Sequence, residues 1–85
     1  MRQSTFKYPI DEAMGKAIKS IREEKGFSMR ELALKSGKPH SYYGKVENYQ
    51  RRATYGELLE ICQLLEIEFH HLLDKVLIES NIAQK

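Results

Sequence analysis

The chain has 85 residues, 41% hydrophobic and 31% charged, with one cysteine and a formal net charge of +2. That length supports one core, and the composition excludes intrinsic disorder, an internal disulfide and any multi-cysteine metal site. No apolar run approaches the roughly 18 residues of a membrane helix, and the N-terminal MRQSTFKYPI lacks the apolar centre of a signal peptide, so a cytoplasmic protein is expected.

Residues 1–10 read as an arm, with Arg2, Phe6, Lys7 and Tyr8 ahead of Pro9. Proline biases the residue before it away from helix, so the arm is expected to be extended. Its two aromatics are expected to pack on the domain, since two charges are few for a partner contact. The domain then runs over 11–80, and 81–85 form a tail. Asp11 can cap a first helix, with Glu12 favourable near the helix's positive end. Met14, Ala17, Ile18 and Ile21 form its apolar stripe, Lys25 lies in its last turn, and Gly26 ends it.

Ser28 with Glu31 three residues on is a capping-box start. Met29, Leu32, Ala33 and Ser36 follow at the spacing of one helical face. Gly37 takes the left-handed conformation that a helix end needs, and Pro39 cannot continue the same helix. A third helix begins near His40 and runs to Glu47. Tyr42, Tyr43 and Val46 fall on its inner side, while Ser41, Gly44, Lys45 and Asn48 share the other. Two short helices across so tight a turn form a helix-turn-helix unit, which places its second helix in the DNA major groove.

Residues 48–54 are a loop. Thr54 with Glu57 is a second capping box, opening a helix with Leu58, Ile61, Cys62 and Leu65 inward. Cys62 reads as a buried, inert small hydrophobe. A last helix over about 68–80 carries Phe69, Leu72, Leu73, Val76 and Leu77 as its stripe. His70 and His71 are adjacent, point about 100° apart on a helix and cannot chelate one ion. They are expected at the surface, and neither metal nor cofactor is expected. The fold class is therefore all-α: five helices, a short N-terminal arm and an extended C-terminal helix.

The charge is polarised. Residues 25–55 hold seven basic and two acidic side chains, a net of +5, whereas residues 56–85 net −4. The helix-turn-helix and the loop after it form the positive pole, as expected of a phosphate-binding face.

Gly15, Ile18, Ile21-Arg22, Lys25-Gly26-Phe27-Ser28, Glu31-Leu32-Ala33, Gly37, Tyr42, Val46-Glu47-Asn48, Leu58, Ile61, Leu65, Ile67 and Leu72-Leu73 recur in one order and spacing. On these pieces the chain resembles the phage-repressor helix-turn-helix family, the Cro-like or XRE family, from about Met14 to Leu73. The resemblance implies double-stranded DNA as the partner. It also implies an ion pair between Arg22 and Glu47, fixing the recognition helix against the first helix. Three positions depart from the family pattern. Met29 stands where a glutamine commonly contacts DNA. Tyr49 replaces the usual glycine, so that Asn48 is expected to take the strained conformation. Pro39 and His40 replace a small polar pair.

Two kinds of contact are expected. Phosphates would meet Lys35, Lys38, Arg51 and Arg52, the helix N-terminus at Ser28, Tyr42, and the loop residues Asn48, Tyr49 and Gln50. Base edges would meet His40, Ser41 and Lys45, with Lys45 donating to guanine. Gly44 costs about 1 kcal/mol of helix stability against alanine, which close approach to DNA could offset. The family core usually closes near Leu73, whereas here Val76, Leu77, Ile78 and Ile82 follow; either they finish the core or they form a subunit contact, and a homodimer through this C-terminal helix is the expectation. The expected function is a sequence-specific transcriptional regulator, a repressor on a palindromic operator. A second reading stays open: a protein-interaction module on the same scaffold, such as an antitoxin or anti-repressor, with a protein partner. No arrangement of residues supports an enzyme.

Overall fold

The computed structural model describes residues 9–80, and at Pro9 and His40 the backbone alone. Five helices follow in order: α1 (Pro9–Glu24), α2 (Met29–Ser36), α3 (His40–Glu47), α4 (Tyr55–Leu65) and α5 (Phe69–Ser80). The expected five-helix, all-α architecture is what forms, and no strand occurs among the described residues. Arg2, Phe6, Lys7, Tyr8 and Ile82 lie outside the described residues.

The first helix starts earlier than its residues suggested. Pro9 and Ile10 already belong to α1, and Asp11 and Glu12 lie in its first turn. Asp11 is therefore not the cap. Proline suits the first helical position, because the N–H it lacks would have no intrahelical acceptor there. By contrast, α2 and α4 open on complete capping boxes, Ser28 with Glu31 and Thr54 with Glu57.

Helix ends explain two unusual backbone angles. At the end of α1, Gly26 (φ 81°) donates to the Glu23 carbonyl at 3.1 Å and Phe27 donates to that of Arg22 at 3.0 Å. This paired arrangement satisfies carbonyls that the helix leaves open and requires a left-handed residue. The same pair of bonds closes α3, from Tyr49 to Val46 and from Gln50 to Lys45, and α4, from Glu66 to Gln63 and from Ile67 to Cys62. Tyr49 (φ 47°) and Glu66 (φ 63°) thus occupy the glycine position of the motif. The left-handed residue expected at Asn48 is one position too early: Asn48 is at φ −91°. The hydrogen bonding, not the asparagine's tolerance for the conformation, decides which residue takes it.

The core gathers Ala13, Ala17, Ile18 and Ile21 of α1 with Leu32, Tyr43, Val46, Ile61, Leu65, Leu72 and Val76 of the other helices. Gly15 sits where α1 meets the C-terminal end of α3. A Cβ there would lie 2.5 Å from the Glu47 carbonyl oxygen and 2.9 Å from that of Val46. Only glycine permits this approach, which seats the third helix on the first. On α5 the buried stripe narrows to Leu72 and Val76, whereas Leu73 is exposed and Ile78 is 60% exposed.

Candidate nucleic-acid interface

The unit over 28–48 is built from local signals. Glu31 N–H donates to Ser28 Oγ at 3.0 Å, and Ser28 N–H to the Glu31 carboxylate at 2.7 Å. This reciprocal pair engages the Ser28 amide itself, so the expected phosphate donor moves. The first-turn N–H groups outside the capping box are those of Met29 and Arg30. Gly37 (φ 75°) closes α2 by donating to the Ala33 carbonyl, and the turn of Gly37, Lys38 and Pro39 leads directly into α3.

A buried fork fixes the far end of α3. Arg22 Nε donates to Glu47 Oε2 at 2.6 Å and Nη2 to Oε1 at 3.1 Å, while Nη1 donates to the Phe27 carbonyl at 2.8 Å. Arg22 is 8% and Glu47 4% exposed. The hydrogen bonds that Arg22 donates to the Glu47 carboxylate raise its pKa above the ordinary value, so the guanidinium stays charged. Two parallel bonds between planar groups set orientation as well as distance.

With Tyr43 and Val46 turned inward, α3 presents Ser41, Lys45 and Asn48 as exposed side chains and Gly44 half-exposed. Met29, Ser41, Gly44, Lys45, Asn48 and Gln50 together line a shallow depression of about 270 Å³. Ser41, Gly44 and Lys45, three of the residues expected to read bases, are therefore brought to one surface with the loop residues Asn48 and Gln50. His40 opens α3, and its backbone alone is described. A Cβ on Gly44 would meet the Met29 sulfur at an ordinary 3.7 Å, so nothing inside the protein requires glycine there.

Tyr42 does not join that surface. It is 7% exposed, its hydroxyl is enclosed, and its ring stands edge-on to Tyr43 at 4.8 Å between centroids. Burial first, then the neighbouring Glu57 carboxylate, pushes its pKa up to about 12. The phosphate contact expected of it is withdrawn: position 42 belongs to the inner face of α3. Its ring instead carries two cations, Lys38 at 5.1 Å and Arg51 at 4.9 Å from the centroid.

Three cations of the positive pole are tethered to carboxylates. Lys38 pairs with Glu60 at 3.5 Å, Arg51 with Glu57 at 2.7 Å and Arg52 with Asp11 at 3.5 Å. Lys35 lies 4.6 Å above the Phe27 ring. Lys45 has no carboxylate partner among the described residues. The carboxylates Asp11, Glu57 and Glu60 were missed as parts of this face. So was Arg30, exposed in the first turn of α2. Only Glu57 carried a sequence signal, through its capping box. The Thr54 backbone N–H, donating to it, holds its pKa below the usual carboxylate range. Among the described residues, no three His, Cys, Asp or Glu side chains converge to hold a metal.

Two helices across a three-residue turn, the second clamped by a buried fork and facing outward along one polar side, define a helix-turn-helix domain. A helix-turn-helix family model matches residues 18–72, and the chain belongs to that family, of the Cro/C1 or XRE type. It is 38% identical over 63 residues to the HTH-type transcriptional regulator SinR of Bacillus subtilis (strain 168). That match takes in 73% of this chain and 57% of SinR, so the chain spans little more than half the length of this relative. Among solved structures, the restriction-modification controller protein C.AhdI from Aeromonas hydrophila superimposes with a TM-score of 0.70 at 34% identity, covering 76% of this chain and 98% of that one. The clp gene regulator ClgR from C. glutamicum superimposes with a TM-score of 0.75 at 28% identity, covering 79% and 87%.

Proposed function

We propose that the protein is a sequence-specific, DNA-binding transcriptional regulator, not an enzyme, which acts as a repressor by inserting α3 in the major groove of a palindromic operator. The observation that carries this reading is the outward face of α3. Ser41, Gly44, Lys45 and Asn48 lie along one side of a helix whose other side is locked to the core. The matched relatives support it, being named a transcriptional regulator, a gene regulator and a controller protein. Lys45, with His40 and Ser41, reads base edges, and Lys38, Arg51, Arg52, Asn48, Gln50 and the first turn of α2 meet phosphates. No described helix is long and apolar enough to cross a membrane, and we assign the protein to the cytoplasm.

The regulator acts as a homodimer, and of the residues first expected at the contact Val76 drops out. Val76 is 1% exposed and belongs to the core. The exposed apolar side chains Tyr55 and Leu59 of α4 and Leu73 of α5 offer the better contact. The Tyr55 and Phe69 rings meet edge-on at 5.4 Å, and Leu59 and Leu73 each lie four residues further along their helices, on the same faces.

Selection of bound sites from random duplex DNA, followed by salt-dependent affinity for the winner, tests the reading. A two-fold symmetric site is expected, and Lys45→Ala should weaken that site more than random DNA. Equal loss on both would move Lys45 to the phosphate-binding class. No enrichment at all would turn the search to a protein partner.

A further inference from the structure

Resting on the DNA-binding reading above, we infer that Glu57 and Glu60 hold down this regulator's sequence-independent affinity for DNA by competing with phosphate for Lys38 and Arg51. The two carboxylates stand three residues apart on one face of α4. Glu57 takes the Arg51 guanidinium at 2.7 Å and Glu60 takes the Lys38 ammonium at 3.5 Å. Both cations also rest on the Tyr42 ring, one at 4.9 Å and the other at 5.1 Å. Asp11 holds Arg52 in the same way from α1. Three of the four basic side chains expected to meet phosphates are thus occupied by acids drawn from helices outside the helix-turn-helix. The base-reading Lys45 has no such partner among the described residues.

This asymmetry has a physical consequence. Phosphate contacts supply nearly all of the affinity for random sequence and carry no sequence information. A cation shared with a carboxylate neutralises a phosphate less completely than a free one. Its partner also repels the backbone from within a Debye length. The handicap falls on every DNA sequence alike in absolute terms, but random DNA has no base contacts to set against it. Base contacts through Lys45 and Ser41 keep the correct site bound after the same loss. The α4 carboxylates therefore hold down residence on the large excess of non-specific sites that any such regulator meets.

The structure also supplies a clean variant. Glutamine serves at the third position of a capping box as glutamate does, so Glu57→Gln keeps the bond to Thr54 and removes only the charge that holds Arg51. Glu60→Gln frees Lys38 independently. The control is Glu24→Gln, which adds one unit of positive charge, as each single variant does, by breaking a comparable pair, Lys75 with Glu24 at 3.3 Å, that involves no proposed DNA contact.

The experiment measures affinity for a short duplex of random sequence across a salt series, with thermal melting of each protein. The double variant Glu57→Gln/Glu60→Gln should bind the random duplex roughly five- to tenfold more tightly at low salt, as freeing two exposed pairs implies. Its log–log salt slope should steepen by up to about 0.9 per freed cation. Each single variant, Glu57→Gln or Glu60→Gln, should change both more than the charge-matched Glu24→Gln does. A folding defect would weaken binding, so a gain cannot arise from one. Unchanged or weaker binding to random DNA, with wild-type protein still showing a salt-dependent slope, would overturn the inference and leave DNA binding standing. A wild-type protein with no affinity for any duplex would remove the DNA-binding reading and this inference with it.

Discussion

At the scale of single residues, the fork between Arg22 and Glu47 dominates. Burying two charges is costly, and their attraction offsets the cost only when every polar group is met. Here each is: the guanidinium uses Nε and Nη2 on Glu47 and Nη1 on the Phe27 carbonyl. Glu47→Ala leaves a buried guanidinium with that carbonyl and, at 3.9 Å, the solvent-exposed Glu23 carboxylate as its remaining partners. A loss of about 3 kcal/mol or more is expected, from a domain whose total stability is of order 5–15 kcal/mol. Melting should fall by roughly 4–8 °C for each kcal/mol. The double replacement Arg22→Met/Glu47→Leu removes both charges and fills the space, and should recover most of the loss, as apolar replacements of buried pairs often do. Calorimetric or circular-dichroism melting of the single and double variants decides it. If the losses add, the pair is not the interaction it looks like.

At the scale of elements, α3 is a helix that sacrifices stability on its outer side. Gly44 lies mid-helix, and a Cβ there would have ordinary contact with Met29 and no clash. Gly44→Ala should therefore raise stability by up to about 1 kcal/mol, visible as a higher melting temperature. If the helix backbone approaches the groove wall at this position, the same variant should weaken DNA binding by about tenfold. Higher melting with undiminished affinity would show that the glycine has no role at the interface. The elements themselves were largely legible in the chain, because their signals are local. Ser28 with Glu31, Thr54 with Glu57, and Gly37 after Ser36 each act within four residues. Misreadings came where the decision is made by partners distant in sequence or by the geometry of a helix end. Val76 looked surplus until α1 covered it. Tyr42 faces inward as its period implied, and burial removes the phosphate contact also expected of it. Tyr49 takes the left-handed conformation because two hydrogen bonds close around it. The pairs that tether Lys38 and Arg52 join residues 22 and 41 positions apart, and no spacing rule reaches that far.

At the scale of the whole molecule, a domain of this size presents too few base contacts to find one site unaided. Duplicating it by two-fold symmetry makes the second half-site contact intramolecular, which multiplies affinity without a new interaction. The apolar surface of Tyr55, Leu59 and Leu73 suits such a contact, and Leu73 is the residue on which to test it. Its side chain is exposed in the protomer, so Leu73→Glu should leave the fold and its melting nearly unchanged. Across a two-fold interface the same substitution places two carboxylates among apolar groups. The variant should sediment as a monomer where the parent is a dimer. It should also lose about a hundredfold or more on a symmetric operator, while affinity for random duplex changes far less. Removing the chain after Asp74 would not serve, because it also strips Val76 from the core. If Leu73→Glu stays dimeric at the same concentration, the contact lies elsewhere, and Ile78, further along α5 and on another face, is next to be charged. If it becomes monomeric yet binds the operator undiminished, each protomer reads its half-site alone, and the symmetry of the site has to come from two independent binding events.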